Sequence, residues 1–66
     1  MQFKCTIRMD NDAFNHNPAL EVARILNKLS NDLGSDHDKG YELHDGYLKD
    51  INGNKVGYYI VEEDEY

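Results

Sequence analysis

Asp50-Ile51-Asn52-Gly53 joins two runs rich in tyrosine and branched residues, and its chemistry limits how the chain can turn back on itself. Aspartate first, asparagine third and glycine fourth suit a type I turn with Gly53 left-handed in a G1 bulge. That three-residue loop sets Asp50 against Asn54 and Leu48 against Val56. Leu48, Val56, Tyr58 and Ile60 would then share the buried face, with Tyr59 outside. The same register sets Lys49 against Lys55 on the solvent side. A tighter turn on Asn52-Gly53 would instead pair Asp50 with Lys55 and Lys49 with Val56; the three-residue loop is the favoured reading.

Continued to Val61, this stretch also has the alternate acid and amides of a calcium loop. It fails that test where it matters. Lys55 stands at the glycine position, Val61 stands where a bidentate glutamate is needed, and no helix is predicted on either side. A phosphate loop fares no better, because Asn52-Gly53-Asn54-Lys55-Val56-Gly57 leads into a strand and offers no helix N-terminus to an anion.

Upstream, Phe3, Cys5, Ile7 and Met9 alternate with Gln2, Lys4, Thr6 and Arg8, the period of a strand with one apolar face. One helix follows. Asn17 is a cap candidate, Pro18 fits the first helical position, and Gly34 fits a left-handed stop. Val22, Ile25, Leu26, Leu29 and Leu33 recur at helical spacing, while Glu21, Arg24, Lys28 and Asp32 form the opposite, solvated side. Residues 35–40 read as a polar loop, residues 41–50 and 55–61 as strands, and 62–66 as a frayed acidic tail. The expected architecture is a single α+β domain over residues 1–66 in the order β-α-β-β. Its three-stranded, mostly antiparallel sheet carries one helix on one face. The first strand lies either antiparallel beside the third or parallel to the second through a right-handed crossover.

Sixty-six residues hide only about 60% of the unfolded surface, so a domain of this size usually leans on a disulfide, a metal or a partner. Cys5 is the only cysteine, which excludes an internal disulfide; its apolar neighbours predict a buried core thiol in a reducing compartment. No apolar run approaches a membrane span and no charged-then-apolar leader opens the chain, so a soluble, cytoplasmic protein is expected. With 7 basic and 13 acidic residues the formal charge is −6, and there is no basic footprint for direct nucleic-acid binding. The acids gather at residues 10–12, 36–38, 42–45 and 62–65, an arrangement that serves solubility or an anionic surface meeting a basic protein site.

Little points to chemistry. His16, His37 and His44 have no zinc spacing, although His37 and His44 could meet at a metal after folding. Cys5 and Ser30 have no nearby base in sequence, and so small a chain leaves little room for a catalytic pocket. No catalytic residue, cofactor or metal ligand is assigned, and the expectation is a protein that is not an enzyme. The outer sheet face is expected to hold Lys4, Thr6, Arg8, Tyr47, Lys49, Tyr59 and Val61. Tyrosines beside cations suit a contact surface, and a homodimer through that face or an edge strand fits a core this small.

Asn17-Pro18-x-x-Glu21-x-Ala23-Arg24-Ile25-Leu26 and Leu48-x-Asp50-x-Asn52-Gly53-Asn54-x-Val56-Gly57 together resemble the helix and closing hairpin of small acidic proteins of tailed bacteriophages and prophages. The resemblance spans roughly residues 3–61. Most of the shared residues are those a cap and a turn need; Arg24 is the exception, placed to serve a carboxylate in this chain or in a partner. The resemblance implies an accessory protein that binds a bacterial host or defence component, as anti-CRISPR proteins do, or else a self-associating structural or assembly component. The residues expected to meet a partner are Glu42, Asp45, Tyr47, Tyr59, Glu62, Glu63 and Asp64.

Overall fold

Alternation beginning at Gln2 produces strand β1 (Gln2–Ile7) in the computed structural model, which describes residues 1–37 and 45–62. A single 3₁₀ turn (Asp12–Phe14) follows, then helix α1 (Pro18–His37), strand β2 (Asp45–Lys49) and strand β3 (Lys55–Glu62). Expected strand positions 41–44, including His44, and loop positions 38–40 lie outside the described residues.

The helix starts where its cap chemistry directs. Asn17 accepts the Leu20 N–H through its side chain at 3.1 Å and the Glu21 N–H through its carbonyl at 3.2 Å, with Pro18 in the position that needs no donor. Its end differs from expectation. Gly34 does not stop α1, which runs to His37, 20 residues in all; among the described residues the only glycine with positive φ is Gly53. A glycine terminates a helix by going left-handed, and Gly34 stays in the helical path.

The sheet is ordered β1-β3-β2, with both pairings antiparallel, so the crossover alternative is set aside. The hairpin turn forms as its residues predict. Gly53 donates its N–H to the Asp50 carbonyl at 3.0 Å, Asp50 donates its own to Asn54 at 2.9 Å, and Gly53 has φ 85°. Beyond the turn the register departs from expectation. Lys49 pairs with Lys55, but Leu48 pairs with Gly57 rather than Val56, leaving Val56 as the extra residue of a bulge. The shift places Gly57 opposite Leu48, at a position where a Cβ would run into the Thr6 carbonyl oxygen of β1. The close approach of β1 needs glycine there, and the bulge sets it in place.

One extra residue reverses the facing of everything after it. Val56 is buried as expected, but Tyr58 is 50% exposed, while Tyr59 turns inward against the core. Tyr59 lies across Gly46, its partner in β2, and stacks on Phe3 with ring centroids 6.0 Å apart. Tyr59 and Val61 therefore leave the outer face and Tyr58 and Ile60 replace them. Glu62 is the last residue of β3, paired with Gln2, and so is no part of a frayed tail.

The core comprises Phe14, Ile25, Leu29, Leu48 and Val56, with Ile7, Ala13, Val22, Leu33 and Tyr59 packed around it. Phe14, only 3% exposed, comes from the 3₁₀ turn and was not anticipated. Cys5 was expected in this core and is exposed. It shares a face with Ile7 and Tyr59, but α1 packs over the 3₁₀ turn and β2, and the helix does not cover that end of β1.

Candidate functional site

Two features concentrate polar or aromatic chemistry: an inner polar clasp and an outer tyrosine face. The clasp contains the residues that gave the hairpin its look of a ligand loop. Asp50 is 4% exposed, and its carboxylate accepts four hydrogen bonds. The N–H groups of Asn52 (2.9 Å) and Asn54 (2.8 Å) reach one oxygen; the side-chain amides of Asn54 (3.2 Å) and Asn11 (2.7 Å) reach the other. Asn11 also accepts the Ala13 N–H at 3.0 Å, so the entry to the 3₁₀ turn is tied to the hairpin. Burial pushes the Asp50 carboxyl up, but the Asn54 N–H, the Asn11 and Asn54 amides and the Asn52 N–H outweigh it and hold the carboxyl below its ordinary value.

Glu21 anchors the other half. Placed by helical spacing on the solvated side, it is instead 7% exposed. Arg24 grips it with two parallel bonds, Nε to Oε1 at 2.9 Å and an outer nitrogen to Oε2 at 3.0 Å. Oε2 also accepts the Ile51 N–H at 2.9 Å, and Arg24 reaches the Lys49 carbonyl at 3.3 Å. The Arg24 bonds, and then the Ile51 N–H, depress the Glu21 carboxyl against the pull of burial; Glu21 in turn raises the Arg24 guanidinium. Arg24 is thus spent on a carboxylate of its own chain. Both oxygens of each carboxylate are engaged within the chain, and among the described residues no group of three or more His, Cys, Asp or Glu could hold a metal ion.

The outer face is open. Across it lie Lys4 and Thr6 from β1, Tyr58 and Ile60 from β3, and Asp45 and Tyr47 from β2, in the pairings Lys4–Ile60–Asp45 and Thr6–Tyr58–Tyr47. Tyr47 is 69% exposed and stands directly opposite Tyr58. The Lys55 ammonium sits 4.3 Å from the Tyr47 ring centroid, which relieves the Lys49–Lys55 juxtaposition by drawing one cation over an aromatic face. Lys4 pairs with Glu62 at 3.1 Å, both side chains about half exposed. Arg8 pairs with Asp10 at 2.9 Å in solvent.

Of the residues expected to meet a partner, the sheet brings Asp45, Tyr47 and Glu62 to this outer face. Tyr59 lies on the opposite face, and Tyr58 takes its place. Glu42, Glu63 and Asp64 lie outside the described residues. Tyr58 was missed because its facing depends on the bulge, for which the lone Gly57 inside a strand pattern was the available signal. Among the described residues, no helix is long and apolar enough to cross a membrane. No family model, curated protein or solved structure matches the chain.

Proposed function

We propose that this is a non-enzymatic accessory protein of bacteriophage type that binds a bacterial host or defence protein, as an anti-CRISPR-like inhibitor would, in the bacterial cytoplasm. The observation that carries the reading is the Tyr47–Tyr58 pair, exposed and side by side on an uncovered sheet face. Tyrosine presents a broad apolar ring and a hydroxyl at small conformational cost, which suits it to protein contact. Asp45 and Glu62 lie toward one end of that face, and the chain as a whole carries −6, so the partner surface is basic. Charge of this kind speeds encounter and selects the partner more than it adds affinity. Direct nucleic-acid binding and membrane association find no support in this composition. The phage resemblance of the α1 cap and the hairpin supplies the biological setting. A self-associating phage structural component is the second reading, favoured by the open edge of β1.

The test is capture from bacterial lysate at low and high salt, using the wild-type chain beside a Tyr47→Ala/Tyr58→Ala variant. A protein held by the wild type, released by salt and lost from the variant is expected. Equal capture by both chains, or capture insensitive to salt, overturns the reading.

A further inference from the structure

β1 is an edge strand among the described residues, and its free side can be read residue by residue. Arg8 donates its N–H to the Val56 carbonyl of β3 at 2.7 Å. In an antiparallel ladder successive residues alternate, so Gln2, Lys4, Thr6 and Arg8 direct their backbone groups at β3. Phe3, Cys5 and Ile7 therefore direct theirs outward, along the open edge.

The same three residues hold the inner side of β1, where apolar surface is left bare. Phe3 is 48% exposed and Cys5 is exposed. Arg24, which reaches Lys49, marks the flank of α1 that faces β2. Leu26, two positions on and about 200° around the helix, lies on the opposite flank and is 44% exposed. Phe3 and Cys5 thus leave apolar surface bare beside the open edge, in a domain whose core, among the described residues, has no fully buried large side chain.

We propose that a second copy of this chain covers this surface, pairing β1 with β1 antiparallel about a twofold axis at Cys5. The sequence of the strand selects this register. An odd offset would set an apolar inner residue against a polar outer one and misalign the outward N–H groups. Among the even offsets, those centred on Phe3 or Ile7 carry half or more of Gln2–Ile7 past the end of its copy; one centred on Lys4 places that lysine against its own copy, and one centred on Thr6 places Lys4 against Arg8. Centred on Cys5, Phe3 meets Ile7 of the second copy, Lys4 meets Thr6 and Gln2 meets Arg8, with no like charges opposed. Phe3, Cys5 and Ile7 of each strand then exchange about six backbone hydrogen bonds, using the groups that β3 leaves outward. The two sheets join into one of six strands, and the closed twofold leaves no further edge of this kind. Tyr47 and Tyr58 take no part, so the pairing stands or falls apart from the partner-binding role of the outer face.

The experiment is sedimentation equilibrium over a concentration series, with amide hydrogen exchange resolved by residue, on the wild-type chain and on Cys5→Lys. The substitution sets two ammonium groups against each other at the axis while leaving the β1–β3 ladder intact. A wild-type dimer is expected, with slow exchange at Phe3, Cys5 and Ile7. Cys5→Lys should be a monomer in which those three amides exchange fast while Thr6 and Gly53 stay protected. A strictly monomeric wild type, fast exchange at the three amides in a dimer, or a dimeric folded Cys5→Lys overturns the proposal. Should Cys5→Lys fail to fold, the wild-type mass and its exchange pattern decide by themselves.

Discussion

The Glu21 carboxylate on the first turn of α1 accepts the N–H of Ile51 at the tip of the hairpin, 2.9 Å away, and Arg24 holds it there. One side chain thus fixes the angle between the helix and the hairpin. Glu21→Ala strands the Ile51 N–H and frees Arg24, and should lower the melting temperature by several degrees. Glu21→Gln can still accept from Ile51 but loses the bidentate ion pair, and should fall between. Circular dichroism melts of the three chains give the order; a Glu21→Ala melt equal to wild type would remove the tie from the account.

Stability should fall in acid. Both Glu21 and Asp50 have carboxyls held below their ordinary values in the folded chain. A depressed carboxyl stabilises the fold fully above the unfolded carboxylate range of about 4 to 4.5, and the contribution drains as pH drops through the lower folded values. Urea midpoints should therefore be flat near neutrality and decline below about pH 4.5. Asp50→Asn should flatten that decline in part, since the substituted amide no longer takes up a proton. A midpoint independent of pH down to pH 3 would show that neither carboxylate is linked to folding.

How far these features could be read from residues alone depends on whether the determining interaction is local. The cap at Asn17 and the turn at Asp50–Gly53 are satisfied within a few residues, and both form as expected. The helix stop failed because Gly34 permits a left-handed conformation without requiring one. The hairpin register failed at Val56 because the close approach that Gly57 accommodates is to Thr6, some fifty positions away and on another strand. Glu21 looked solvated by helical spacing, and only the arrival of Ile51 over the first turn buries it. Sorting of Tyr58 from Tyr59, and with it the candidate contact face, inherits that one unread bulge.

Gly34 offers a stabilising substitution. It lies inside α1, and a Cβ built there meets nothing within 4 Å. Glycine at such a site costs about 0.5–1 kcal/mol relative to alanine, largely through the freedom of the unfolded chain. Gly34→Ala should raise stability by about that amount, or roughly 2–8 °C in Tm for a domain of this size. A lower Tm would show that the helix does not continue past Gly34.

Gly57 should respond in the opposite sense. Any side chain there meets the Thr6 carbonyl and the Ile7 backbone, neither of which can rotate away. Gly57→Ala should cost at least the upper end of the about 1–3 kcal/mol typical of overpacking. The loss should appear as faster amide exchange along β1, since separation of β1 from β3 is the simplest relief. An unperturbed variant would contradict the close strand approach and with it the placement of the bulge.

Tyr58 and Tyr59 separate the observed register from the unbulged alternative most directly. Tyr59 packs against the core, stacks on Phe3 and covers Gly46, so Tyr59→Ala should cost about 2 kcal/mol. Tyr58 is half exposed and meets Tyr47 across the strands, and Tyr58→Ala should cost no more than about 0.5–1 kcal/mol. An unbulged ladder with Leu48 against Val56 exchanges the two values, because it turns Tyr58 inward and Tyr59 out. Chemical denaturation of the two variants measures both. If Tyr58→Ala is the more damaging, the contact face passes to Tyr59, and the Tyr47–Tyr58 surface loses its basis as a binding site.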